Sequence, residues 1–354
     1  MEISLMPEEK DGYTYYKANL HSHSTVSDGH WTPEEMKERY MAHGYSAIAF
    51  TDHEAFVPHN DLTDEHFLAL NGVELAIRGS LDVPYRRRNE IHMNFIAMTP
   101  EMTRTPFYHR EKYLKPHVAE LRPTLDYDHD APDFEREYTA ECINTMSAGG
   151  QKDHYFVAHN HPYNSLQRQD EYEKFEHFDA VEIWNSCDRV TEGMSAEKVY
   201  DDFLNQGKRL WPLCCDDNHN TGPDDVPSAT SYRSYVWVAS KSLNYEEFMK
   251  NLKAGNLYAS TGDYYHEGPK FKGIYLDPET RTVRVEATEC TEIFLKTGIR
   301  ACEDRFAPYG ETITTATFTV REEADFFRIV LRDKNGFESY SKGFFFEDYA
   351  KSAE

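Results

Sequence analysis

Histidine and carboxylate residues recur at the ends of short apolar runs through the first 220 positions. Leu20-His21-Ser22-His23 leads to Ser27-Asp28-Gly29, and Thr51-Asp52-His53, Gly72-Val73-Glu74, Ile91-His92, His159-Asn160-His161-Pro162 and Asp217-Asn218-His219 follow in turn. Imidazole nitrogens and carboxylate oxygens collected in this way are the donor set of a cluster of divalent cations. The chemistry of such a cluster is polarisation of an electrophile and activation of water. Scattered surface histidines would not keep so regular a placement, so a metal-dependent hydrolase is expected.

The elements that must carry these residues are short. Seven runs of β-branched, aromatic or aliphatic residues occur at Tyr16 to Leu20, Ser46 to Phe50, Phe67 to Leu70, Ile91 to Met98, Tyr155 to Ala158, Ala180 to Trp184 and Leu210 to Cys214. Helical signals separate most of them. After the first run, Thr32 reads as an N-cap with Pro33 in the first turn, Glu35 completing a capping box and Gly44 as the stop; Met36, Tyr40 and Met41 form its apolar stripe. A second helix is expected from a Ser195 cap to a Gly207 stop, with Val199, Phe203 and Leu204 on one face. Alternating strands and helices imply parallel pairing, and seven such units favour a closed barrel. In strand–helix barrels the working residues lie at the carboxyl ends of the strands. His21, His53, His161 and Asp217 all follow an apolar run, Glu74 fits that placement at the third strand, and Glu182 and Asn185 fit it at the sixth. One shared pocket is the expectation.

The fold class expected is therefore α/β: a distorted seven-unit (β/α)7 TIM-like barrel over residues 1–267, with an insertion at about 99–150, and a small antiparallel β-sandwich over 268–354. The insertion is rich in Tyr, His and acids, and a lid, a recognition subdomain or extra helices would each account for it. Tyr235 to Val238 reads as one more strand, followed by a helix capped near Asn244 and ended by Gly255. Beyond it, six alternating runs between Phe271 and Phe346 read as sandwich strands, without a metal-ligand set.

Composition narrows the partners. With 62 acidic and 38 basic residues the formal charge is −24, which repels long nucleic acids and anionic membranes. No leader-like start and no membrane-length apolar run is present, so a cytoplasmic protein is expected. The six cysteines have no C-x-x-C spacing and read as reduced thiols, Cys214 and Cys215 being small hydrophobes at a strand end.

In the order and spacing of its six motifs, from His21-Ser22-His23 to Asp217-Asn218-His219, the chain resembles the polymerase and histidinol phosphatase (PHP) family of metal-dependent phosphoesterases over residues 16 to 220. Ala180-Val181-Glu182-Ile183-Trp184-Asn185 and Tyr258-Ala259-Ser260-Thr261-Gly262 resemble a stand-alone bacterial branch with a C-terminal β domain. The resemblance implies two or three divalent ions. By motif matching, His21, His23, Glu74 and Asp217 would hold the first, Glu74, His92 and His161 the second, and Asp28, His53 and His219 the third. Glu74 would bridge, since a carboxylate has two oxygens to share and an imidazole offers one lone pair. Asp28, His53, His219 and Glu74 would stand closest to the reaction, in which metal-activated water attacks a phosphomonoester in line. Mixed N and O ligands suit Mn, Zn or Fe better than Mg.

Around these motifs some choices stay open. Asp216 competes with Asp217, although the spacing to His219 favours Asp217, and His159 competes with His161, which Pro162 follows. Asp52 is expected to orient His53. Arg86, Arg87 and Arg88 can clamp a substrate phosphate or form a solvated loop. Asn160 and Asn185 can position substrate or a ligand carboxylate. The other histidines, 30, 43, 59, 66, 109, 117, 129, 154, 177 and 266, read as packed or solvent-facing. The expected partner is a small phosphorylated metabolite or short nucleotide. A metal-dependent hydrolase of another ester, amide or carbamate is the first alternative, and a non-catalytic metal- or sugar-binding module the second. The oligomeric state is not set by the sequence.

Overall fold

The computed structural model describes residues 1–187, 195–220, 222–226 and 229–349, without the side chain of His117. In chain order the strands and helices are β1 (Ile3–Ser4), β2 (Thr14–Asn19), α1 (Pro33–Ala42), β3 (Ala47–Phe50), β4 (Leu68–Arg78), β5 (Glu90–Ala97), α2 (Ala140–Lys152), β6 (Tyr155–Asn160), α3 (Gln169–Tyr172), β7 (Ala180–Asn185), α4 (Glu197–Asn205), β8 (Trp211–Cys215), β9 (Ser234–Ser240), α5 (Tyr245–Lys253) and β10 (Leu257–Thr261). Eight further strands follow: β11 (Phe271–Asp277), β12 (Thr282–Cys290), β13 (Glu292–Thr297), β14 (Glu303–Phe306), β15 (Ile313–Thr319), β16 (Phe326–Arg332), β17 (Glu338–Ser341) and β18 (Phe344–Phe345). The protein is thus mixed α/β, with few helices and one large mixed sheet.

Local chemistry explains the best-defined elements. Thr32 Oγ1 accepts from the Glu35 amide at 3.2 Å while Glu35 Oε2 accepts from the Thr32 amide at 2.9 Å, a complete capping box, and Gly44 follows the helix with φ +78°. Asn244 Oδ1 caps α5 by accepting from the Glu247 amide at 3.2 Å, and Phe248, Met249 and Leu252 are buried beneath the helix. The helix expected from Ser195 differs. It starts at Glu197, and its N-cap, Ala196, has no side chain to offer; the Ala196 amide instead donates to the Ile183 carbonyl at 2.8 Å.

Seven strands run side by side in the order β2-β3-β4-β5-β6-β7-β8. Pairing is parallel for β2–β3, β3–β4, β6–β7 and β7–β8. The expected uniform parallel order fails at β5, which is antiparallel to both β4 and β6. The reason is the short link: residues 79–89 hold only a single 3-10 turn, too little chain for a helical crossover, so β4 and β5 close as a hairpin. At the other margin, Ser22 bridges Asn218 in parallel, and the Asp217 amide donates to His21 O at 3.0 Å. The segments that follow β2 and β8 therefore meet at one end.

The large sheet continues past β2 through β9, β10, β17, β16 and β13 to β14, with β18 also on β16. A second sheet, ordered β1-β11-β12-β15, faces that extension, and the buried side chains Ile274, Val283, Val285, Phe318, Ile293, Ile329 and Leu331 share one core between them. Antiparallel pairing of β10 with β17 (Tyr258 opposite Ser341) joins the C-terminal strands directly to the N-terminal part. β1, only two residues long, reaches Leu276 of β11 and left no sequence signal. Among the described residues, no helix is long and apolar enough to cross a membrane.

A buried cation, Arg328, and a half-buried one, Lys342, lie among these strands. Arg328 on β16, 1% exposed, forks onto Asp201 of α4 through Nε at 2.7 Å and Nη2 at 2.8 Å, and Nη2 also reaches Glu197 at 2.9 Å. Replacing Arg328 with Met is expected to lower unfolding stability by about 2 kcal/mol in denaturant titration, less than the roughly 3–5 kcal/mol of a fully buried pair because both acids stay partly solvated. Lys342 lies over the Trp211 ring at 5.1 Å, and burial pulls its pKa from 10.5 down to about 8. The unfolded chain therefore binds more protons between pH 8 and 10.5, and the charged folded lysine opposes folding below that window. Lys342→Met is expected to gain about 1–2 kcal/mol of stability at neutral pH, with the gain vanishing as pH rises past about 10.5.

Candidate metal centre

Glu74 lies at the middle of the cluster, in the interior of β4 and 1% exposed. Its position is not the strand end expected from the sequence: β4 runs four residues further, to Arg78. Oε1 stands 3.1 Å from His21 Nε2, 3.1 Å from His92 Nδ1 and 3.3 Å from His161 Nε2, while Oε2 stands 2.7 Å from His53 Nδ1 and 3.6 Å from His23 Nε2. Asp217 Oδ1 is 2.9 Å from His23 Nε2 and 3.2 Å from His21 Nε2. At the rim, Asp28 Oδ1 lies 3.5 Å from His219 Nε2, 3.7 Å from His53 Nε2 and 3.9 Å from His23 Nδ1. Nine sequence-selected residues thus share one pocket. The reversed direction of β5 explains His92, which sits near the start of its strand yet faces the same mouth as residues beyond the ends of β2, β3, β6 and β8.

Three imidazoles are fixed so that Nε2 faces the cluster. His21 Nδ1 is 2.7 Å from Glu182 Oε1, His161 Nδ1 is 3.2 Å from Ser165 Oγ, and His219 Nδ1 is 3.0 Å from the Asp217 carbonyl. With Nδ1 holding the proton, the Nε2 lone pair is available inward, the arrangement that second-sphere partners impose on metal-binding histidine. Asn160 Nδ2 donates to Glu74 Oε1 at 2.9 Å and to Asn94 Oδ1 at 2.9 Å, and Asn185 Nδ2 donates to Glu182 Oε2 at 3.0 Å and Asp217 Oδ2 at 3.3 Å. Asn185 thereby holds ligand-type carboxylates. The backbone is strained here as well: His161 and Asp217 adopt φ of +25° and +49°, a cost tolerated mainly where surrounding contacts over-determine a site.

The donor set suits divalent cations. Glu74 Oε2 and His92 Nε2 are buried without a hydrogen-bond partner, although His53 Nδ1 is only 2.7 Å from Glu74 Oε2. His21 Nε2 and His23 Nε2 lie 3.2 Å apart with Asp217 Oδ1 beside both. Edges near 3 Å between donor atoms are those of a coordination shell with bonds of about 2.1 Å. Among the described residues, four groups have the required convergence: His23, Asp28, His53 and His219; His21, His23 and Asp217; His21, Glu74 and His161; and His53, Glu74 and His92. They overlap at Glu74, His21, His23 and His53, and divide the residues differently from the motif-based partition, which put His92 and His161 together. The histidines differ in their electrostatics, and at His21 burial is outweighed by Asp217, Glu182 and Glu74, which hold its pKa well above the usual value. Burial, reinforced by His53 and His219, lowers the His23 pKa to about 3, so its lone pair is free. Burial alone would raise the Glu74 pKa, but the surrounding histidines outweigh it and hold the carboxyl well below its usual range. For His92, burial is outweighed by Glu74 and Glu90, which raise the pKa to about 10, so a metal must displace a proton there.

The neighbouring choices resolve by geometry. Asp216 points away from the cluster and accepts from the Tyr232, Arg233 and Ser234 amides at 2.7, 3.0 and 2.9 Å, from Tyr40 Oη at 2.9 Å and from Ser186 Oγ at 3.0 Å. His159 bonds Gln167 at 2.8 Å and packs against Phe175 and Phe178. Asp52 does not orient His53, as expected from the sequence. Its carboxylate takes the amides of Ser24 and Ser27 at 2.8 and 3.0 Å and both hydroxyls, at 2.8 and 2.7 Å, fixing the loop between His23 and Asp28. Gly29 completes that loop, since a Cβ there would meet His23 O at 2.1 Å. Arg86 and Arg87 are exposed on the 3-10 turn between β4 and β5, and Arg88 donates to Val83 O; no described contact joins them to the cluster. The cation that does reach it is Lys115 of the insertion, 2.6 Å from Asp28 Oδ2, a contact across 87 residues with no local sequence signal.

No protein-family model matches the chain, and no curated protein sequence does. Similar solved structures include a two-domain protein from Bacteroides vulgatus containing a predicted PHP-like metal-dependent phosphoesterase, 14% identical, covering 96% of this chain and 98% of that one at a TM-score of 0.46. Others are an amidohydrolase from Chromobacterium violaceum with bound sulfate and no metal, 15% identical over 60% of this chain and 93% of that one at 0.38, and a candidate metal-dependent phosphoesterase from Bifidobacterium adolescentis, 16% identical over 58% and 88% at 0.39.

Glu182→Gln keeps the shape of the side chain but weakens the grip on the His21 Nδ1 proton. Metal affinity measured by chelator competition is expected to fall about 10–100-fold; an unchanged affinity would show that Glu182 does not set the orientation of His21.

Proposed function

We propose that this chain is a metal-dependent phosphoesterase of the PHP type, built on a distorted seven-unit (β/α)7 barrel within residues 1–267 and carrying a C-terminal β-sandwich over 268–354. The observation that carries the reading is the convergence of His21, His23, Asp28, His53, Glu74, His92, His161, Asp217 and His219 on a pocket whose central carboxylate is buried. Two or three divalent ions, Mn, Zn or Fe by the mixed N and O donors, are the cofactor proposed. When bound, such ions polarise a phosphoryl group and lower the pKa of water.

The chain's own residues supply the rest. Glu74, with both oxygens facing imidazoles, would be the carboxylate shared between ions. Glu182, Ser165 and the Asp217 carbonyl hold protons on the Nδ1 atoms of His21, His161 and His219 and so keep Nε2 basic. Asn160 and Asn185 restrain the Glu74 and Asp217 carboxylates. Asp28, His53 and His219 lie at the rim, Asp28 31% and His219 26% exposed, where a phosphate ester can approach from solvent. The −24 charge favours a small phosphorylated metabolite or short nucleotide over long nucleic acid or a membrane surface.

Mn-loaded protein is expected to release phosphate from at least one member of a panel of phosphomonoesters and dinucleotides, with His23→Ala and Asp217→Ala reducing kcat/KM by more than about 100-fold while the fold is retained. Turnover of aryl carbamates alone, with no phosphorus substrate cleaved, would reassign the site to a different ester or amide. Equal activity in wild type and both variants would remove catalysis from it altogether.

A further inference from the structure

The insertion at 99–150 is pinned to the mouth of the pocket by a buried ion pair. Arg136 Nη1 donates to Glu54 Oε1 and Oε2 at 2.8 and 2.9 Å and to the Ala76 carbonyl at 3.0 Å. Glu54 follows His53, and Ala76 lies two residues beyond Glu74, so this anchor grips the two backbone segments that carry central ligands. The Arg136 guanidinium also covers the Tyr113 ring at 4.3 Å, and the Tyr113 hydroxyl accepts from the Arg136 amide at 2.9 Å. Tyr113 is two residues before Lys115. The chain of contacts from Glu54 through Arg136 and Tyr113 thus places the Lys115 ammonium 2.6 Å from Asp28 Oδ2, at the rim and a quarter exposed.

That location has a consequence for charge. A cation held among His23, Asp28, His53 and His219 competes with Lys115 for the Asp28 carboxylate, and two positive charges then stand close together. An anion between them relieves the repulsion. Lysine is fitted to supply this, as a compact charge with three donors on a flexible stem. Arg86, Arg87 and Arg88, on the β4–β5 turn, make no such approach.

We propose that Lys115 is the phosphate-reading residue of the site: it takes a non-bridging oxygen of the substrate's terminal phosphoryl group and makes the 99–150 insertion the determinant of specificity for phosphorylated substrates. The inference rests on the phosphoesterase reading above. No covalent step is assigned to it.

The test uses full-length Mn-loaded protein, its Lys115→Met and Lys115→Arg variants, calorimetric titration with inorganic phosphate, and KM and kcat for a phosphomonoester that wild type cleaves. Lys115→Met is expected to weaken phosphate binding and raise KM by roughly tenfold to a hundredfold, the loss of one charge-assisted hydrogen bond. Metal content by elemental analysis should not change, and Lys115→Arg should recover much of the binding. Unchanged phosphate affinity and KM in Lys115→Met would overturn the proposal while leaving the phosphoesterase reading intact. Loss of metal or of folding in Lys115→Met would also overturn it, because the lysine would then be shown to position Asp28. Failure of wild type to cleave any phosphorus compound would remove the underlying reading instead.

Discussion

A carboxylate buried among five imidazoles is the constraint around which this protein is organised. Glu74 is almost fully withdrawn from water and one of its oxygens makes no hydrogen bond. An ionised group in that setting is stable only beside compensating positive charge. Histidines protonated in part, or cations that replace those protons, supply it. The outer ring serves the same end. Glu182, Asn160, Asn94 and Asn185 do not face solvent; each fixes the orientation or charge of a residue nearer the centre.

The strand run makes this arrangement possible because its two margins meet where the donors are needed. Ser22 and Asn218 bridge next to His21, His23, Asp217 and His219. Four ligand-type side chains from positions nearly 200 residues apart are placed by one short parallel contact. The antiparallel β5 contributes differently. By running backwards it delivers His92 from the start of a strand, and the insertion that follows it reaches back to the rim, where Lys115 meets Asp28.

Much of this was legible in the sequence. Residue type and order identified the nine clustered positions, because each motif is local and its spacing relative to an apolar run follows from strand geometry. Capping of α1 by a capping box and of α5 by the Asn244 side chain was equally readable, since a cap is written within four residues. What escaped are relations between distant segments. The extension of β4 beyond Glu74, the reversal of β5 and the role of Asp52 depend on which neighbour a strand or loop finds. The local T-D-H run suggested that Asp52 serves His53, whereas the serines that claim it lie more than 20 residues earlier. Likewise Arg86, Arg87 and Arg88 were conspicuous as a charge run, and Lys115, isolated among mixed residues, was not.

The pairing of Ile3 with Leu276 ties the order of assembly to the order of synthesis. At roughly 5–20 residues per second on the ribosome, β1 waits on the order of tens of seconds for its partner to emerge. During that interval the first residues have no sheet to join. The second sheet, and with it the cover over the core beside α1, is therefore a late-forming layer, completed only after the segments that gather the histidines have been made.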